Sequence, residues 1–254
     1  MVSVVEFDAI YAIWLREARV YLREKERVVA SLVSPLLWLF VFGIGIGASI
    51  TGITGNYQQF VYPGILVMTI LFTSFFYGLY IVWDKKLDFL KEVLVAPASR
   101  SSIFVGKALG GVTDAMVQAA VLLVVGTIFI VPLSLTSLLY LIPVLLLTSF
   151  STAGLGLFIG ADMSSQEGFT LMSNFVMWPM FFFSGALFPL QNLPGVLKAV
   201  SLIDPITYAV DAIRVILLGN GAFSLQYDVG VLVIFAIITS ILGVIAFGRL
   251  QQTK

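Results

Sequence analysis

Apolar positions fill this chain in long runs separated by short polar interruptions. The first uncharged stretch extends from Val28 to Trp83, 56 residues without Asp, Glu, Lys or Arg. A helix needs about 20 apolar residues, at 1.5 Å each, to cross about 30 Å of hydrocarbon. The stretch therefore holds two spans, and "TGITGNYQQ" at 51–59 marks the turn between them. A third run, Ile103 to Val131, ends at Pro132 and "SLTS". A fourth covers Leu138 to Ala161 and stops at "DMSSQEG"; a fifth runs from Phe169 to Phe188, and a sixth from Val229 to Gly248. The pattern predicts an all-α integral membrane protein with six spans, at about 29–50, 60–83, 103–131, 138–161, 169–188 and 229–248.

Two segments fit neither a span nor a loop. Before residue 28, Phe7, Tyr11, Trp14, Ala18 and Tyr21 follow a 4-3-4-3 spacing, with Arg16, Arg19, Arg23 and Arg27 on the opposite face. This predicts an amphipathic helix over 1–27, lying aromatic side down in the membrane interface or packed on a partner, ahead of a single transmembrane domain over 28–254. Between Pro189 and Tyr227 the pattern predicts two short re-entrant helices. Asp204-Pro205 starts the second, as N-cap and first helical residue, and Gly219-Asn220-Gly221 ends it. Asp211 and Arg214 stand three apart on that helix, the spacing of a local ion pair, with a substrate contact as the alternative.

Composition agrees: 59% of residues are hydrophobic, 11% are charged, and mean hydropathy is +1.05, against about 25% charged for a soluble domain. The long first run predicts a retained membrane anchor, not a processed leader. Net charge is zero, which suggests no nucleic-acid partner, yet 12 of the 14 basic residues fall before span one, in the 84–107 region or in the tail. Only Lys198 and Arg214 lie elsewhere. The positive-inside rule then predicts a multi-pass cell-membrane protein with both termini and the 84–100 loop in the cytoplasm. Cysteine and histidine are absent, which removes disulfides, thiolate chemistry and the usual zinc and haem ligands.

Candidate chemistry is sparse. Gly106-Lys107 resembles the end of a P-loop, but Ser101 and Ala108 occupy the positions that need Gly and Ser or Thr. No nucleotide site is expected in this chain. "GIGIG" at 43–47, and Gly156 with Gly160, suit close helix packing. Asp114, inside span three with Gln118 a turn away, should face protein or water. It is either an interhelical hydrogen-bonding group or the relay of an ion-gradient-driven secondary transporter. Asp162 with Glu167 is the one modest candidate for lipid-directed enzymology. Span five, with Asn174, Trp178, Pro179, Phe181, Phe182, Phe183 and Ser184, either faces lipid or lines a path for an apolar substrate.

The densest polar feature is "WDKKLDFLKEVLVAPASR" at 83–100, with six charges between Asp84 and Glu92 and an apolar stripe of Leu87, Leu90 and Leu94. Such a stripe needs a covering surface, either the bilayer interface or a protein groove. "FLKEVLVAPASRSSIFVGKALG" resembles the first cytoplasmic loop of type-2 ABC exporter permeases (the ABC-2 family) at Glu92, Leu94, Pro97, Ser99, Arg100, Gly106 and Lys107. "WPMFFFSGALFPLQNLPGVLKAVSLIDPITYAVDAIR" is similar to the drug-resistance and nodulation-factor exporter branch at Pro179, Ser184, Gly185, Pro189, Pro194, Pro205, Tyr208, Asp211 and Arg214. Asp88 departs from the family pattern, which favours a small residue there.

The resemblance implies a non-catalytic half-transporter that pairs with a second copy or a related permease. Two separate ABC ATPase subunits would carry ATP and Mg, and this chain itself would hold no cofactor. Leu87, Leu90, Lys91, Glu92, Leu94, Pro97 and Arg100 would form the coupling helix. Spans one, two and five would line the path, and Pro194, Asp204, Tyr208, Asp211 and Arg214 would belong to the outer lid. An amphipathic, drug-like or lipid-linked molecule would be the cargo.

Overall fold

The computed structural model describes residues 2–46, 57–87 and 98–250, and every regular element among them is helical. In chain order these are α1 (Val2–Arg23), α2 (Lys25–Leu37), a π-helical continuation (Trp38–Ile46), α3 (Tyr57–Phe76) and α4 (Leu79–Lys86). Then follow α5 (Arg100–Phe129), α6 (Leu135–Asp162), α7 (Gln166–Phe183), α8 (Gly195–Ile203), α9 (Pro205–Leu218) and α10 (Leu225–Arg249). Four helices among the described residues are long and apolar enough to cross a membrane: Tyr57–Lys86, Arg100–Phe129, Leu135–Asp162 and Leu225–Arg249. They coincide with predicted spans two, three, four and six. Predicted spans one and five overlap α2 with its π-helical extension and the 18-residue α7, neither of which is among those four.

Serines set several of these starts. The Oγ atoms of Ser99, Ser134 and Ser165 accept the amides of Ser102, Ser137 and Gly168 at 3.1, 2.9 and 3.0 Å, capping α5, α6 and α7. Such a hydroxyl satisfies one of the four amides that a helix start leaves without an internal partner.

Helix α6 is the hub, packing on α10 most extensively and also on α3, α5 and α9. Its contact with α3 and α4 is made by backbone. A side chain on Gly156 would run into the Phe75 carbonyl, one on Gly160 into the Gly78 carbonyl, and one on Gly78 into the Gly156 carbonyl. Inside a membrane, helices gain little from the hydrophobic effect, so contact area won by close backbone approach is what holds such a crossing. Across it Ser74 and Thr152 share a hydroxyl–hydroxyl bond at 2.5 Å. The apolar core continues through Tyr62, Leu66, Ile70, Phe75 and Phe181, all at most 1% exposed.

Helix α1 departs from the interfacial reading. It packs along α5 through Ile13, Trp14, Glu17, Ala18 and Tyr21, while Phe7 and Tyr11 are 72% and 52% exposed. The predicted aromatic face therefore divides, with its second half buried in protein. The reason lies in α5: Gly106 lacks the side chain that would meet Ile13, and Gly110 the one that would meet Glu17 and Tyr77. Trp14 donates its Nε1–H to Thr113 Oγ1 at 2.9 Å in the same groove.

Candidate functional site

Three elements meet where the 84–100 loop leaves the bundle. Lys107 on α5 is 1% exposed, and its Nζ donates to Glu17 Oε1 of α1 at 2.8 Å and to Asp84 Oδ2 of α4. Arg16, at the edge, binds the same Glu17 oxygen at 2.8 Å. Two carboxylates thus face two cations, and the inner three groups are all buried. Ions removed from water this far persist only when each has its partner. Beside them Lys85 reaches the other way: its Nζ donates to the carbonyls of Gly160, Ala161 and Met163, the end of α6. A cation at a helix C-terminus meets both the unpaired carbonyls and the negative end of the dipole. Successive residues, Asp84 and Lys85, therefore tie the exit of α4 to α1, α5 and α6.

Burial by itself raises the Glu17 carboxyl, but the charge and hydrogen bond of Lys107, aided by Tyr77 and Arg16, outweigh it and hold the group below its ordinary 4.5. A carboxylate depressed in the folded state stabilises that state above its unfolded pKa, and the contribution disappears as pH falls through the lower, folded value. Docking of α1 on α5 should accordingly persist at neutral pH and loosen only below about 4.5. The cysteine-free chain allows spin labels at exposed Leu22 and Val124. Their separation should be narrowly distributed at neutral pH and should broaden only as pH is lowered well below 4.5, and Glu17→Gln should abolish that dependence.

Of the predicted coupling residues, Leu90, Lys91, Glu92, Leu94 and Pro97 lie outside the described residues. Leu87, at the end of α4, is 76% exposed. Arg100 is the first residue of α5, next to the Ser99 cap. The cluster that anchors both flanks of this loop was missed from sequence. In the sequence Lys107 stands out only as the end of a P-loop-like pair and as a position of family resemblance, and Glu17 does not stand out.

The predicted path residues divide. Trp178, Phe181 and Phe182 join Trp38 and Phe72 in one aromatic cluster: Phe72–Trp178 centroids are 4.9 Å apart, Trp38–Phe181 6.0 Å and Trp178–Phe182 5.5 Å. The cluster draws on α3, α7 and the π-helical segment, the three predicted path spans. Phe181 and Ser184, however, lie inside the protein. Phe181 is fully buried, and Ser184 is buried with its hydroxyl donating to the Phe181 carbonyl at 2.7 Å, so neither faces a path in this conformation. Asn174 and Phe182 are exposed on α7, and Phe183 is half-buried.

At the opposite end, Pro194 precedes α8, which lies on the surface, and α9 inserts into the bundle. The predicted start and stop of α9 are present: Asp204 Oδ1 accepts the Ile206 amide at 3.0 Å, Pro205 opens the helix, and Gly219 closes it at φ +72°. Thr207 and Tyr208 donate their hydroxyls to the carbonyls of Ser201 and Leu202, both at 2.7 Å, folding α9 back on α8. The expected Asp211–Arg214 ion pair is absent among the ion pairs of the described residues. Asp211 instead accepts the amides of Ala222 and Phe223, at 2.8–2.9 Å and 2.8 Å. Arg214 Nη2 donates to the Gly185 carbonyl at 2.9 Å, across a turn that Gly185 makes at φ +71°. Two loop amides, one of them shared between both oxygens, satisfy a carboxylate more completely than one flexible side chain, which explains why local spacing misled. Asp114 is 1% exposed and faces protein, as its cost in lipid requires, and Gln118 accepts a hydrogen bond from Thr73 at 2.7 Å.

Comparison with known proteins bears on this arrangement. Residues 8–218 match the family model described as ABC-2 type transporter. Nodulation protein J of Rhizobium meliloti (strain 1021) is 30% identical over 237 residues, covering 89% of this chain and 88% of the relative. The inner membrane transport permease YadH of Escherichia coli (strain K12) is 27% identical over 237 residues, covering 90% of each. The match spans both the charged cluster and the α8–α9 region, and with four membrane-length helices around them the chain belongs to the ABC-2 type transporter family, as a multi-pass membrane permease.

Proposed function

We propose that the chain is the membrane half of an ATP-driven exporter, with six spans, cytoplasmic termini and a loop at 87–99 that receives a separate ABC ATPase. The observation that carries this reading is the Lys107 cluster. A loop that only connects two helices does not need its flanks bound by buried ions to a third. A loop that transmits force does, because slack at its base would absorb the displacement. Two copies, or one copy with a related permease, would bind two ATPases. ATP-driven closure of the ATPases would move the pair between inward- and outward-facing states. The aromatic cluster of Trp38, Phe72, Trp178 and Phe182 suits an amphipathic, drug-like or lipid-linked cargo.

Charge reversal at Glu92 tests the assignment. The Glu92→Lys protein should insert at normal levels but show ATPase activity reduced to the unstimulated rate when cargo is added, measured on the permease co-purified with its ATPase. Unchanged stimulation would remove the coupling role from this loop. Transport that persists after ATP depletion would remove the ATP-driven reading and restore an ion-gradient mechanism through Asp114.

A further inference from the structure

Beside α9 lies a cavity of about 290 Å³, lined by Phe60, Gln191, Asp211, Arg214, Asn220 and Ala222 among others. Its inner wall carries an unusual cation. Arg214 is 6% exposed, has no ion-pair partner within 4.0 Å among the described residues, and lies with its guanidinium 4.2 Å above the centre of the Phe60 ring. One of its nitrogens serves the Gly185 carbonyl, while its buried Nε–H has no acceptor among the described residues. Asp211 shares the cavity, but its oxygens already receive three amide bonds from the 222–223 loop. Gln191, Asn220 and Ala222 are exposed and form the mouth.

An arginine that lines an open cavity with no carboxylate in ion-pair contact among the described residues is a cation without a counter-charge. Guanidinium groups recognise planar or tetrahedral oxyanions, and stacking on an aromatic face holds the group in place to do so. The volume falls at the lower end of small-molecule sites, about 300–1,000 Å³, so it suits a head group or one charged end of a larger molecule and not a whole drug-sized ligand. Nothing in the loop-end cluster or the aromatic cluster contributes to it.

We propose that this cavity binds an oxyanion of the phosphate type on Arg214, with Gln191 and Asn220 at its entrance. The group arrives either as the head of a phospholipid from the surrounding leaflet or as a free anion.

Native mass spectrometry of the purified full-length permease tests this, with phosphatidylglycerol in one arm and inorganic phosphate in the other, and thermal unfolding run on every variant. Arg214→Gln removes the charged donor, and Ala222→Trp closes the mouth from an exposed position while leaving Arg214 and the loop amides in place. Each should weaken binding roughly 10- to 100-fold, the worth of a hydrogen bond to a charged group. Loss in the phosphatidylglycerol arm assigns the site to lipid, and loss in the phosphate arm assigns it to a free anion. If Arg214→Gln does not fold, Ala222→Trp decides. Binding in both arms unaffected by the folded variants would overturn the proposal.

Discussion

Lys107→Met should be the most damaging single change at the loop end of the bundle. The substitution leaves Glu17 and Asp84 buried and facing each other, with Arg16 reaching only Glu17 from the edge. Removing one partner from a buried ion group typically costs about 3–5 kcal/mol, chiefly because the remaining charges stay desolvated and unpaired. Loss of most folded protein from the membrane is the expected outcome, measured as the monodisperse fraction after solubilisation. A triple variant, Glu17→Gln with Asp84→Asn and Lys107→Met, removes the charges together and should recover much of that fraction. Neutral replacement of a whole buried ion group is often tolerated. The proposed coupling role predicts a separation of the two properties: the triple variant folds but no longer links its partner's ATPase to transport. Recovery of both would reduce the cluster to a stabilising device.

Gly156→Leu should be comparably severe for a different reason. The glycine lies where α6 touches the carbonyl of Phe75, and Gly160 repeats the contact one turn later with Gly78. No rotamer relieves the clash, since the obstructing atoms are backbone and the Cβ itself is misplaced. Overpacking a core by flexible side chains costs about 1–3 kcal/mol. Here two helices must separate along the crossing, so the Ser74–Thr152 bond is lost as well. The expected result is aggregation on solubilisation at any temperature. Gly230→Leu, at a glycine with no neighbour near the added carbon, should behave as wild type.

The bundle was legible wherever one physical rule acted alone. Membrane thickness alone sets the length of an apolar run, so the helices containing Leu66, Ala115, Leu145 and Ala236 could be located from sequence. Local chain chemistry alone sets a cap, so Asp204-Pro205 and Gly219 bracketed α9 correctly. Features failed where a distant group competed with a near one. Arg214 sits one turn from Asp211 but prefers the Gly185 carbonyl, 29 positions earlier, because Asp211 is occupied by loop amides. Glu17 and Lys107 are 90 residues apart, and nothing in the periodicity of either helix announces the other. The glycines at 106 and 110 were the available signal, since they clear a groove on α5 whose occupant the charge pattern could have named. Phe181 and Ser184 were assigned to a path because aromatic and hydroxyl content says nothing about which side of α7 turns inward.

The bond from Lys85 to the end of α6 has a consequence for how the protein would move. Asp84 holds α4 to α1 and α5, and the neighbouring Lys85 holds it to the hub helix. Under the proposed coupling, a displacement delivered between α4 and α5 has no single helix to rotate. It would shift α1, α4, α5 and α6 together as one body, and the compliance that separates two conformations would then reside elsewhere, along the seams that α7 makes with that body and that the π-helical segment makes with α3. Substitutions that stiffen those seams should slow the conformational change without altering how the ATPase binds.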